Sequence, residues 1–220
     1  MSELLPLFPL RTVLFPGALL PLHIFEPRYR LLLRRTVDRD KSFGIVLIRS
    51  GEEVGAAATT HEIGTEARVV AVTALPDGRS YIVTRGERRF ALEDVLSDVE
   101  PYLVGRVRYL DEPEGEGAHG RADEAREALN HYMLAVLAVT EDESAERALA
   151  EDLNDASPVE LAYKIAGTLA VDQRERQALL ELGNASQRLG EEARMLRRET
   201  DLLRDLLVRL RARGERPDLN

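Results

Sequence analysis

Apolar positions along this chain follow two rhythms. Over the first half they come in short runs broken by turn residues, and over the second they recur at three- and four-residue spacing. Residues 4–29 set Pro6, Pro9, Pro16, Pro21 and Pro27 among Leu, Phe and Ile. A proline removes a ladder donor and restrains the residue before it, so this stretch predicts short extended pieces and tight turns, with Phe15-Pro16-Gly17 as one turn. Phe43 to Ile48 and Val69 to Leu75 are continuous apolar runs, the pattern of strands covered on both faces. Asp77-Gly78 predicts a hairpin joining the second run to Tyr81-Ile82-Val83. Leu103, Val107 and Tyr109 alternate with Arg106 and Arg108, as in a strand with one wet face. One early helix is expected, with Pro27 at its first position and Tyr29, Leu32, Leu33 and Thr36 on one side, plugging or flanking a small barrel.

From Asp111 to Gly120 the chain carries Pro113, Gly115, Gly117 and Gly120 among acidic residues, a composition suited to a linker. Beyond it the periodicity is helical. Thr140 with Glu143, and Ser157 with Pro158 and Glu160, match capping boxes; Asp172 with Glu175 and Asn184 with Gln187 are weaker versions. Helices are expected near 121–138, 141–153, 158–170, 173–182 and 186–213. Along the last, Leu189, Ala193, Leu196, Thr200, Leu203, Leu207 and Leu210 form a heptad seam that needs a partner, either the preceding helices or another protein. The expected organisation is a β-rich part over 1–110, a linker over 111–120, a helical part over 121–213 and a flexible tail over 214–220.

Composition narrows the chemistry. At 220 residues the chain can bury a proper core. It has no cysteine, which removes disulfides, thiolate metal sites and a thiol nucleophile, and fits a reducing cytoplasm. The apolar opening lacks a basic leader and is cut by prolines, so neither a signal peptide nor a membrane span is expected. The formal charge of −9 opposes binding to a polyanion. His23, His61, His119 and His131 are scattered without metal-site spacing, so no metal and no cofactor is expected; His23 reads as an orienting hydrogen bond before the first helix. Glu26 reads as part of that helix's N-terminal cap, and Arg28 as equally structural.

Several of these segments, in order, resemble one family. Leu4-Leu5-Pro6-Leu7-Phe8-Pro9-Leu10, Phe15-Pro16-Gly17 and His23-Ile24-Phe25-Glu26-Pro27-Arg28-Tyr29 are similar to the opening of the Lon protease N-terminal, substrate-binding domain. Leu75-Pro76-Asp77-Gly78-Arg79, Gly86 to Phe90 and Pro101 to Gly105 also match its pattern, as do Leu161 to Ala166, Gln177 to Glu181 and Arg188-Leu189. The resemblance runs from Leu4 to about Leu210. It implies an α+β fold, a PUA-like β-barrel followed by an α-helical bundle with a long C-terminal helix.

Lon proteases continue into an ATPase and a Ser–Lys peptidase, and neither motif set occurs in this sequence. No glycine-rich phosphate loop is present, and the two lysines, Lys41 beside Ser42 and Lys164, sit in contexts unlike a protease site. The expectation is therefore a non-enzymatic, stand-alone substrate-recognition module that binds unfolded or client polypeptides and acts as an adaptor or regulator of ATP-dependent proteolysis. The expected partners are those clients, a full-length ATP-dependent protease and a second copy of the chain. Phe8, Phe15, Phe25 and Tyr29 are the candidate substrate-binding residues, and Leu196, Leu203, Leu207 and Leu210 the candidate docking face of the last helix. The competing reading is RNA binding, since PUA-like barrels elsewhere bind RNA and Arg85, Arg88, Arg89, Arg106 and Arg108 could share a face.

Overall fold

The structure, a computed structural model, describes residues 2–37, 42–51, 59–96, 99–140, 153 and 155–213. The expected helix over 141–153 with Glu143 of its Thr140 capping box, Lys41 and the 214–220 tail fall outside these residues, apart from Leu153. The chain forms two compact units, Met1–Asp111 with Ala170–Glu181, and Glu112–Leu169 with Leu182–Asn220.

The first unit holds strands β1 (Glu3–Leu10), β2 (Leu19–Ile24), β3 (Phe43–Ser50), β4 (Thr59–Thr60), β5 (Ile63–Ala74), β6 (Ser80–Leu96) and β7 (Val104–Tyr109), with helix α1 (Pro27–Val37). The order β1-β7-β6-β5-β3 closes on itself because β3 also pairs with β1, in parallel. This closed ring is the small barrel that the resemblance implies. β2 adds to β6, and β4 to β3. Alternation along the strands separates two apolar clusters: Leu5, Leu7, Val46, Phe90 and Val107 on one face, and Phe8, Phe43, Ile45 and Ile82 on the other. α1 covers the second cluster with Tyr29, Leu32 and Leu33, and Phe8 stacks on Tyr29 with ring centroids 3.9 Å apart.

Both expected turns form. Ala18 N–H donates to the Phe15 carbonyl at 3.1 Å across Pro16-Gly17, and Gly17 takes φ +80°, which a side chain would strain. Between β5 and β6, Gly78 N–H donates to the Leu75 carbonyl at 3.0 Å with φ +79°, and Asp77 accepts from Arg79 N–H at 3.1 Å.

The second unit packs α2 (Ala118–Thr140), α3 (Pro158–Thr168) and α5 (Ala185–Arg213). The α2 stripe Ala118, Ala122, Ala125, Ala128 and Leu129 is buried, its small side chains permitting close helix approach. Ser157 caps α3 with the reciprocal bonds to Glu160 read from the sequence. The stretch expected as a linker over 111–120 is instead fastened in place. α2 already begins at Ala118, the Pro113 carbonyl accepts from Ala185 N–H at 3.1 Å, and the Glu114 carbonyl accepts from Ser186 N–H at 2.7 Å.

Helix α4 (Gln173–Glu181) departs from the expected grouping with the helical part; it belongs to the barrel unit. Its polar side chains explain why. Gln177 Nε2 donates to the Ile63 carbonyl at 3.0 Å, Gln173 Oε1 accepts from Val13 N–H at 3.1 Å, and the buried Arg89 guanidinium donates to the Leu180 carbonyl at 2.5 Å. Each contact satisfies a backbone group that burial would otherwise strand.

Candidate functional site

Where β6 spans Ser80 to Arg85 it carries β2 on one side and β5 on the other, making a three-stranded platform whose register fixes its outward face. Residues paired across antiparallel strands share a face. One row is Pro21–Val83–Ala71 and the next is His23–Tyr81–Thr73. The opposite face, with Ile82 and Ile24, is buried in the barrel unit's core. An outward face of a small sheet would ordinarily alternate to polar residues, and here five of these six are apolar or aromatic rings or carry only a methyl.

These rows line an open groove of about 320 Å³, bounded by Pro21, Leu22, His23, Ala71, Thr73, Tyr81, Ile82 and Val83. His23 stacks on Tyr81 with centroids 4.7 Å apart, and Phe25 leans on His23 at 5.5 Å. Tyr81 is 54% exposed, Val70 47% and Val72 46%, while Leu19 and Phe25 are also exposed nearby on the same strands or just beyond them. Val69 to Leu75, expected to be covered on both faces, is thus open from Val70 to Ala74. A strand this apolar, uncovered among the described residues, is a candidate contact surface.

The sequence-derived candidates separate here. Phe8, Phe15 and Tyr29 are buried core residues and cannot meet a ligand; Phe25 is at the surface beside His23. Tyr81, Val83, Ala71 and Pro21 were not singled out, although the length of the uncharged run at Val69 to Leu75 was the available signal. His23 does not make the expected orienting hydrogen bond through Nε2, which is buried without a hydrogen-bond partner; its ring is held by stacking. Glu26 stays structural, its carbonyl accepting from Arg30 N–H at 2.9 Å and its carboxylate paired with Arg28 at 3.0 Å.

In the helical unit, Leu196 is fully buried and so is no docking residue, whereas Leu203, Leu207 and Leu210 are half-buried.

Of the five arginines that could serve RNA, three are committed elsewhere, while Arg85 and Arg106 are exposed. Arg89 points inward to the Leu180 carbonyl; Arg88 pairs with Glu66 at 2.9 Å and lies 3.6 Å over the Tyr109 ring; Arg108 meets Glu93 at 3.6 Å. Burial, with help from Glu66, pushes the Tyr109 hydroxyl up to about 12. The Ser42 hydroxyl donates to Glu66. Among the described residues no group of three or more His, Asp or Glu could hold a metal ion, and no helix is long and apolar enough to cross a membrane.

Residues 4–198 match the family profile described as the ATP-dependent protease La (LON) substrate-binding domain. Lon protease 2 of Herpetosiphon aurantiacus is 33% identical over 202 residues, covering 90% of this chain and 24% of that protein. The Lon protease of Flavobacterium johnsoniae is 25% identical over 201 residues, with the same coverage of both. The chain therefore spans about a quarter of the length of these curated relatives. Among solved structures, the Lon N-terminal domain protein from Xanthomonas campestris superposes with TM-score 0.61 at 28% identity, covering 86% of this chain and 96% of that one. The N-terminal domain of a Mycobacterium avium complex Lon protease shares the fold, with TM-score 0.68 at 20% identity and coverage of 90% and 98%. This chain belongs to the LON substrate-binding domain family.

Proposed function

We propose that the chain is a recognition module that captures unfolded polypeptide by binding alone, through the apolar groove on β2, β6 and β5. The observation that carries this reading is the open, largely apolar and aromatic outer face Pro21–Val83–Ala71 and His23–Tyr81–Thr73 on a folded platform. Unfolded segments present the apolar side chains that native proteins hide, so such a face selects them without reading a sequence. Burying one Leu- or Phe-sized side chain is worth about 1.5–3 kcal/mol, and association itself costs several kcal/mol, so a groove this small gives weak and exchangeable binding. That suits a module that samples clients and presents them to an ATP-dependent protease as an adaptor or regulator; membership in the family supports the substrate-recognition part of this reading.

The test is anisotropy of labelled, permanently unfolded casein titrated with the wild type and with Tyr81→Ser. Tyr81 is half-exposed, so the substitution leaves the core intact while removing the groove's largest ring. Binding weakened at least about tenfold is expected from losing one aromatic anchor. Leu134→Ser, on the exposed side of α2, serves as the control and leaves affinity unchanged. Equal binding by wild type and Tyr81→Ser overturns the assignment. ATP hydrolysis or casein cleavage by the purified chain would overturn the binding-only reading.

A further inference from the structure

Beside the groove lies a row of backbone groups. β5 is paired with β6 along most of its length, but on its other side β3 pairs only with Thr65, Glu66 and Ala67. From Arg68 to Ala74, among the described residues, no strand pairs with that outer side. An unpaired strand edge is a template for another chain, and folded proteins usually blunt it with proline, charge or a bulge. The opposite edge of the same platform follows that rule: β2 carries Pro21, which has no N–H, at its middle. The β5 edge follows it only in part. A bulge interrupts the register between Val69 and Ala71, yet from Val69 to Ala74 there is neither a proline nor a charge, and Val70 to Ala74 are all exposed.

We infer that the outer edge of β5, Val69–Ala74, takes up an extended segment of client polypeptide as an added strand, whose alternate side chains reach across Ala71 and Thr73 into the groove. This rests on the polypeptide-binding reading above and states how that site holds its client. The chemistry of the edge selects the occupant. Alternating N–H and C=O groups at strand spacing match another main chain, which neither a lipid tail nor a nucleic acid supplies. The uncharged side chains along the edge select apolar, β-prone segments. Main-chain pairing also explains how one site accepts many sequences, because every polypeptide carries the same backbone.

The test uses a labelled apolar peptide about ten residues long, enough to span Val69–Ala74, and a version whose amides are replaced by esters throughout. Esters keep the side chains and carbonyls but remove every N–H, so no face or register of the peptide can donate to β5. The ester version is expected to bind at least about tenfold more weakly than the parent, since several hydrogen bonds are lost together. The parent peptide is also expected to slow amide exchange within Val69–Ala74. Parent-like binding by the ester version, with Tyr81→Ser still weakening the parent, overturns edge pairing while the groove reading stands. Failure of the parent peptide to bind at all removes both. Concentration-dependent dimerisation that protects Val69–Ala74 without peptide, and that peptide does not dissolve, assigns the edge to a second copy and overturns the proposal.

Discussion

Glu192 carries a carboxyl group into the interior of the helical unit, fully buried, with neither oxygen hydrogen-bonded. Burial holds its pKa well above the usual carboxylate range, and the Arg188 guanidinium one turn away only partly offsets this. That guanidinium is itself committed, donating to the Leu182 carbonyl at 2.9 Å and lying 4.5 Å over the Tyr163 ring. The sign follows from proton counting. With the folded pKa raised, the folded state binds more protons than the unfolded one, so stability from this group is full below about pH 4.5 and falls as pH rises through the folded value. Glu192→Gln removes the titration. The variant is expected to melt higher than the wild type at pH 8, with the gap closing toward pH 4.5; parallel melting curves at both pH values would show Glu192 to be ionised in the fold. None of this was legible in the sequence, because an Arg and a Glu four residues apart on a helix read as a solvated pair. At the same scale, aromatic identity alone did not separate Phe8, Phe15 and Tyr29, which are core, from Phe25, which is not.

At the scale of elements, period was legible and cover was not. The heptad seam of α5 is present, and Leu189, Ala193, Leu196 and Thr200 are buried. The buried stripe is wider than a seam, taking in Ala185, Arg188 and Glu192, because α5 packs against both α2 and α3. Further along, Leu203, Leu207 and Leu210 are half-buried, and Leu202, Leu206 and Val208 are exposed. Leu196→Ala is therefore expected to cost about 2–5 kcal/mol, read as a lower urea midpoint, while Leu202→Ala changes it little. Equal losses at the two positions would mean that the distal turns are also packed away. β5 teaches the same point in reverse. Its apolar run predicted a strand correctly, but a run of Val and Ala carries no information about what lies over it, and here the uncovered part is the candidate site. The capping box at Ser157 and the turns at Gly17 and Gly78 were fully legible, because each is settled by residues within three or four positions.

Across the whole molecule, the α+β class, the strand-rich opening and its end near residue 110 could be read from the sequence, while the return of a later segment to the first unit could not. Grouping segments by type placed α4 with the helices, yet Ala170–Glu181 returns to the barrel unit after the excursion through Glu112–Leu169. Single polar contacts between residues far apart in sequence tie that return: Gln177 to the Ile63 carbonyl, Gln173 to Val13 N–H, Arg89 to the Leu180 carbonyl. No local pattern announces such pairs. They also make the barrel unit incomplete as a contiguous stretch. Residues 1–111 alone would take the Leu180 carbonyl away from the buried Arg89 guanidinium, and losing a hydrogen bond to a charged group costs about 1.5–3 kcal/mol. A 1–111 fragment is accordingly expected to melt broadly and bind a hydrophobic dye, whereas the same fragment joined through a Gly/Ser linker to 170–181 melts in one sharp transition. If 1–111 alone melts as sharply and at the same temperature, α4 is an attachment to the barrel unit and not a part of its core, and the groove on β2, β6 and β5 could then be studied on the shorter fragment.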